Sequence, residues 1–225
     1  MRISQKNDTS SPGYHLCGNR LKTVFETKDL GIYITSNLSW SLQATKCTNK
    51  ANSVLGFVRR TVLPKNPDLF SKLYKSLVRP ILEYSSPVWS PHLKKDIATL
   101  EKVQRRASRF ALGTTANDMS YEDRLKRLKW PTLEKRRTLS SLTECYKTIK
   151  GLNCLNPHEF FSFADKYRPP RSNHRFKLKT KFAKLNWYKH SLFLHIVNLW
   201  NNLRKETAEA KDLRTFRNKL VNEFS

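Results

Sequence analysis

The sequence predicts a mainly α-helical protein with a short β segment at its N-terminal end, and two observations carry that expectation. Glycine is scarce, at six of 225 residues, and apolar residues recur over long stretches at the three- and four-residue spacing of a helix face. A hydrophobic content of 38%, with 11% aromatic, is enough for a modest core in one large domain or two small ones. The sequence shows no internal repeat and no low-complexity tract.

Residues 1–38 differ in kind from the rest. Tyr14 to Leu16, Leu21 to Phe25 and Leu30 to Ile34 read as short strands punctuated by turn residues such as Gly18 and Asn19. Leu30, Ile32 and Ile34 alternate as in a half-buried strand, and Gly31 permits a bulge or close packing. From Ser39 the period becomes helical: Ala44, Cys47, Ala51, Val54, Leu55 and Val58 share one stripe. Arg59 and Arg60 close this helix, either complementing its dipole or reaching a phosphate backbone. Asn66, Pro67 and Asp68 mark the next helix start, with Asn as cap and Pro in the first turn. Leu69, Leu73, Leu77 and Val78 extend its apolar face. Pro80, lacking an amide donor, ends or kinks it, so residues 79–89 turn a corner. Within that corner Arg79 either pairs with Glu83 four residues on or faces nucleic acid.

Lys94 to Leu112 is the next predicted helix. Ile97, Leu100, Val103, Ala107, Phe110 and Ala111 form its buried stripe, and Lys102, Arg105, Arg106 and Arg109 form a separate ridge at three- and four-residue spacing. Such a ridge repels itself unless carboxylates or phosphates offset it, and Asp96 and Glu101 offset only part. A solvated charged face is one reading and a phosphate-binding face is the other. A polar loop over residues 113–119 follows. Ser120 with Asp123 then resembles a capping box before a short helix, Tyr121 to Lys129. Thr132 caps another helix that runs to about Gly151, with Leu133, Leu139, Leu142, Tyr146 and Ile149 inward. Lys135, Arg136 and Arg137 cluster in its first turn, the end of the dipole least suited to cations, where a polyanion or neighbouring carboxylates would offset the cost.

Residues 165–190 form a basic connector in which Tyr167, Phe176, Phe182, Trp187 and Tyr188 stand among Lys and Arg, a mixture suited to single-stranded nucleic acid. Its segment 175–182 also alternates as an amphipathic strand, with Phe176, Leu178 and Phe182 inward and Lys177, Lys179 and Lys181 outward. His190 to Leu203 and Leu213 to Phe224 read as helices that dock the tail.

Charge narrows the partner. Forty-three Lys and Arg face 18 Asp and Glu, a formal charge of +25, which points to a polyanion. Nucleic acid is the expected partner, as RNA, an RNA/DNA hybrid or a DNA duplex held by its phosphates. A membrane is not expected, because the longest strongly apolar run, residues 191–200, is about half of the roughly 20 residues a span needs. The first residues lack the apolar core of a secretory signal, so an intracellular place, nuclear or cytoplasmic, and free thiols are expected. Cys17, Cys47, Cys145 and Cys154 form no paired ligand spacing. No metal site and no cofactor are therefore expected, the pairings His15 with Cys17 and Cys154 with His158 being read as chance.

One stretch carries a family resemblance. Residues 74–137 combine YKSLVRPILEY, VWSPHLKKDIATLEKVQRRASRF and SYEDRLKRLKWPTLEKRR, and they resemble the region downstream of the polymerase core in LINE-type (non-LTR) retrotransposon reverse transcriptases. The LVRPxLEY pattern is matched by Leu77, Val78, Arg79, Pro80, Leu82, Glu83 and Tyr84. Residues 28–40 are similar to the passage from palm to thumb, near the primer grip, and Trp200 with the Phe-containing segment 213–220 is similar to the terminal elements. The resemblance covers most of residues 14–224. It implies a palm-to-thumb transition over 1–38, a helical thumb-like unit over 39–113 and a basic, mainly helical tail over 114–225. It also implies ancestry in an RNA-directed DNA polymerase whose metal-binding aspartates lie upstream of these residues, so no catalytic residue and no polymerase activity is expected of this chain alone. A helical protein-interaction module, or a retroelement remnant without function, is the alternative. No nucleophile motif supports a different enzyme.

Overall fold

The computed structural model describes residues 1, 3, 13–61, 66–164, 174–183, 189 and 191–224. It is mainly helical with two small hairpins at the N-terminal end. Strands β1 (His15–Leu16) and β2 (Asn19–Arg20) pair antiparallel, as do β3 (Glu26–Asp29) and β4 (Ile32–Thr35). Each hairpin closes on two residues with positive φ, Cys17–Gly18 and Leu30–Gly31, the geometry that matches strand twist in a two-residue loop. Gly31 is thus a turn residue rather than a bulge, and Leu30 is a turn tip, 83% exposed. Residues 21–25 lie between the hairpins and form no strand of their own, though the Leu21 N–H donates to Tyr14 O and Phe25 O accepts the Ser36 N–H, each at 2.8 Å, extending one hairpin apiece. Ile32 is buried in the main core, and the Tyr33 N–H donates to Gln43 Oε1 at 2.9 Å, fastening β4 to the helix that follows.

That helix, α1 (Ser41–Thr61), packs along α5 (Lys94–Leu112). Ser41 Oγ donates to Asp96 at 2.7 Å, Arg106 reaches Asn52, and Arg59 covers Phe110. The contacts advance together along both helices, so the two run parallel and their C-terminal ends meet. Between them come α2 (Pro67–Leu73), a π turn (Tyr74–Val78), α3 (Arg79–Glu83) and α4 (Ser86–Trp89). Asn66 caps α2 as expected, its side chain accepting from the Leu69 N–H. Pro80 does not break the chain. The preceding turn widens, so the Arg79 N–H reaches Tyr74 O, five residues back, making room for a ring that would otherwise strike the Ser76 carbonyl. The corner comes later, at Ser85 with its positive φ.

After α5, residues 113–119 form a tightened turn (Gly113–Ala116) leading to α6 (Tyr121–Leu128) rather than an open polar loop. Arg124, itself buried, donates to Met119 O at 2.7 Å and to Ser108 Oγ at 3.1 Å and pins that turn. The first core therefore continues past residue 113 through Tyr121, Leu125, Trp130 and Leu133. A buried polar network knits it. Gln104 Oε1 accepts from Tyr74 Oη at 2.8 Å while Gln104 Nε2 donates to Pro131 O at 3.0 Å. Glu101 accepts a short hydrogen bond from Tyr121 Oη and, at 3.1 Å, the Leu133 N–H.

Helix α7 (Leu133–Ile149) begins in that core and ends in a second one. Leu142, Cys145 and Tyr146 pack against α8 (Pro157–Phe160), α9 (Leu192–Asn201), α10 (Lys205–Ala208) and α11 (Leu213–Glu223) and their connections, with Trp200, Leu203, Phe216 and Leu220 central. Tyr146 stacks on Phe216 with ring centres 4.2 Å apart and donates to Ala210 O. The two cores are divided within α7, between Leu133 and Leu142. Trp200 docks as expected, donating to Phe176 O at 2.8 Å. Beside it Asn201 both donates to Leu178 O and accepts the Leu178 N–H, acting as a one-residue strand for the extended segment. That segment makes a single bridge, Phe163 to Leu178. Leu178 is buried and Phe176 half-buried as expected, but Phe182 is 88% exposed because it lies beyond the bridge.

Two predictions concern these cores. Tyr74→Phe deprives the buried Gln104 Oε1 of its donor and is expected to cost about 1–3 kcal/mol, seen as a lower urea midpoint at unchanged slope; a shift below about 0.5 kcal/mol contradicts the network's role. His174 is buried, its Nε2–H donating to Trp200 O while Nδ1 has no partner. Burial pushes its pKa below the usual imidazole value, and the Trp200 carbonyl opposes that. Lys177 adds to the lowering, with Glu209 and Glu223 opposing it. The unfolded chain then binds the extra proton first, so stability is present above about pH 6.5 and is lost as pH falls toward the lower folded value. Thermal midpoints between pH 7.5 and 5.5 are expected to fall more steeply for the parent than for His174→Gln; parallel profiles refute this.

Candidate nucleic-acid interface

Helix α5 separates its charges by sign. Its two carboxylates, Asp96 and Glu101, are buried, the first accepting from Ser41 at the start of α1 and the second within the core network. Lys102, Arg105, Arg106 and Arg109 are all exposed and fall on one face by their spacing. Neither acid forms an ion pair with the ridge, because apolar burial at Leu100, Val103 and Ala107 turns both inward, and Glu101 acts on Arg105 only through its Coulombic field. None of the four cations has a carboxylate at ion-pair distance among the described residues.

Neutral groups hold the guanidiniums instead. Arg106 Nη1 donates to Asn52 Oδ1 at 2.9 Å. Arg105 lies 4.6 Å from the Tyr121 ring centre, and Arg59 lies 4.5 Å from that of Phe110. These contacts restrict side-chain motion without removing charge, leaving donors that match phosphate oxygens. Because α1 and α5 end together, Arg59, Arg60 and Arg109 share a region where both helix dipoles favour cations. Asn52 and Tyr121 escaped the sequence reading. A pairing of the two helices in parallel would have been needed to place Asn52, and Tyr121 stood only as the first residue of a short helix.

The other predicted site residues fall elsewhere. Arg136 donates to both oxygens of Glu83, one bond being short and the other 2.9 Å, and Arg79 approaches the same carboxylate at 3.8 Å. The hydrogen bonds from Glu83 raise the Arg136 pKa. Burial, followed by the neighbouring Arg136 charge, lowers that of Arg79. The pairing of Arg79 with Glu83 four residues on is thus present, and Arg136 shares the carboxylate as the closer partner. Arg137 is 3% exposed and cannot reach a phosphate backbone. Its place is a correction: one turn of α7 carries Leu133 and Arg137 inward together, while Lys135 is half-buried with no carboxylate at ion-pair distance among the described residues. Lys179 and Lys181 are exposed and Lys177 is half-buried, on the extended segment far along the chain from the α5 ridge. Tyr167, Trp187 and Tyr188 of the connector lie outside the described residues.

Among the described residues no group of three or more His, Cys, Asp or Glu is placed to hold a metal ion, and no helix is long and apolar enough to cross a membrane. Comparison with known proteins adds one relative. Over 127 residues, 56% of this chain and 64% of the other, the sequence is 26% identical to uncharacterized protein B0403.1 of Caenorhabditis elegans. The match therefore spans less than two thirds of that protein. No family model matches the chain. No solved structure matches it.

Proposed function

We propose that this chain binds nucleic acid through the phosphate backbone, with the α5 ridge as its principal contact and Arg59 and Arg60 beside it. The single observation that carries this reading is the sorting of charge on α5, where every cation of the ridge is outward, with no carboxylate at ion-pair distance among the described residues, while both acids are inward. A face of that kind offers counterion release to a polyanion and little sequence reading, since phosphates position a duplex without specifying its bases. With a net charge of +25, the same field steers any polyanion toward the protein.

The resemblance of residues 74–137 to LINE-type reverse transcriptases supports a more specific form of the proposal. The chain is then the post-catalytic, nucleic-acid-holding portion of such a protein, without polymerase activity of its own. Its partner is an RNA, RNA/DNA or DNA duplex, and its place is intracellular.

Replacing Lys102, Arg105, Arg106 and Arg109 together by Gln tests the interface. Binding to a short duplex is expected to weaken, and the slope of log affinity against log salt to flatten by roughly three to four units, near 0.9 per lost contact. Helicity by circular dichroism is expected to persist, because all four are exposed. An unchanged slope with intact helicity refutes the ridge and moves the electrostatic contact to other cations.

A further inference from the structure

A cavity of about 1000 Å³ lies between the elements of the two cores, walled by residues 37–40, 85, 87–88 and 90–93, Ile97 of α5, one face of α7, Leu155, Phe161 and α9 with the residue before it. Its size is at the upper end of small-molecule sites. Most of its wall is apolar, including Trp40, Leu93, Ile97, Phe161, Phe193 and Ile196. One feature of the wall is out of keeping. Arg137 lines the cavity with 3% of its surface exposed, and its Nε and Nη2 are buried without a hydrogen-bond partner.

Neighbouring carboxylates do not resolve that vacancy in bonding. Glu83 is taken by Arg136 and Arg79. Glu101 accepts from Tyr121, Gln104 and the Leu133 N–H. Both lie within electrostatic reach of Arg137, as does Glu134, yet none of them hydrogen-bonds it. Glu144, also on the wall, is held by Lys147 at 2.7 Å. A buried guanidinium left in this state costs several kcal/mol unless an anion meets it.

We propose that this cavity binds an amphiphilic carboxylate, its acid group paired with the Arg137 guanidinium and its apolar body against Trp40, Ile97, Phe193 and Ile196. The supply of polar partners selects a small molecule over a peptide. Arg137 and Ser191 are the wall residues with buried, unpartnered side-chain polar atoms among those described, and wall hydroxyls such as those of Thr138 and Thr148 already donate to backbone carbonyls of their own helix. A peptide would bring a backbone donor and acceptor with every residue and leave most unmet. A hydrocarbon or aryl chain bearing one acid brings a single polar group, to the place where one is wanting. The site is separate from the phosphate ridge and stands or falls independently of it.

The test uses the whole chain and dansylaminoundecanoate, a fluorescent long-chain carboxylate, in about 0.3 M salt so that attraction by surface charge is screened. Saturable one-to-one enhancement of dansyl fluorescence is expected. Arg137→Met is expected to weaken binding at least tenfold, and the corresponding alcohol is expected to bind the parent no better than the acid binds that variant. Should Arg137→Met fail to fold, Val88→Trp, at an exposed position on the cavity rim, is expected to obstruct entry and weaken the acid tenfold without disturbing the cores. Equal binding of acid and alcohol, absence of saturable binding, no effect of Val88→Trp, or displacement of the probe by a short RNA duplex would each overturn the proposal.

Discussion

The buried hydrogen-bond network around Gln104 and Glu101 is the constraint on which the remaining architecture depends. Five polar groups from four parts of the chain, Tyr74, Gln104, Glu101, Tyr121 and the Leu133 N–H, meet where no water can replace a lost partner. Dispersion and burial alone would let α5, α6 and the start of α7 slide against one another. The network fixes their register, because each group left unpaired costs its full desolvation. Glu101 has a second effect at the first turn of α7, where a carboxylate facing unpaired N–H groups favours the helix dipole. Burial raises its pKa, and the bonds from Tyr121 and Leu133 work in the other direction.

From that constraint follows the division of labour on α5. Fixing Glu101 and Gln104 inward fixes the opposite face outward, and the positions three and four residues apart on that face are all cationic. Helix α1, lying parallel, contributes an amide at Asn52 and a guanidinium at Arg59 to the same surface. A second consequence appears in α7. Anchored at Leu133, it carries Arg136 to Glu83 and turns Arg137 into the space between the cores, so neighbouring residues of one basic tripeptide have different fates.

Periodicity made much of this legible before any coordinates. Helix α5 was bounded by its apolar stripe, and Asn66, Ser120 and Thr132 were recognisable as caps, each accepting a backbone N–H, because these signals are local. Trp200 was legible for the same reason, as a large apolar side chain inside a docking helix. What escaped was long-range. Glu83 pairs with Arg79 at helical spacing, as the sequence offered, but its closer partner is Arg136, 53 residues away. Pro80 reads as the end or a kink of the helix because the widening of the Tyr74–Val78 turn that accommodates it leaves no mark in residue type. The continuity of the first core past residue 113 depends on Arg124, a charge that a sequence reading places on the surface. Arg137 was misjudged for the same reason: composition cannot say which of three adjacent cations a helix turns inward.

The claim that α5 builds the core with one face and meets phosphate with the other is tested most directly by photo-crosslinking from cysteines introduced on the α5 ridge or on the extended segment of a chain whose exposed Cys17 and Cys154 are replaced by Ser. A benzophenone placed through Arg106→Cys is compared with one placed through Lys181→Cys, each mixed with a labelled duplex at about 0.15 M salt, where surface charges far apart are screened from one another. The account predicts efficient crosslinking from position 106, lost on competition with unlabelled duplex, and little from position 181. Equal or greater crosslinking from position 181 would contradict it.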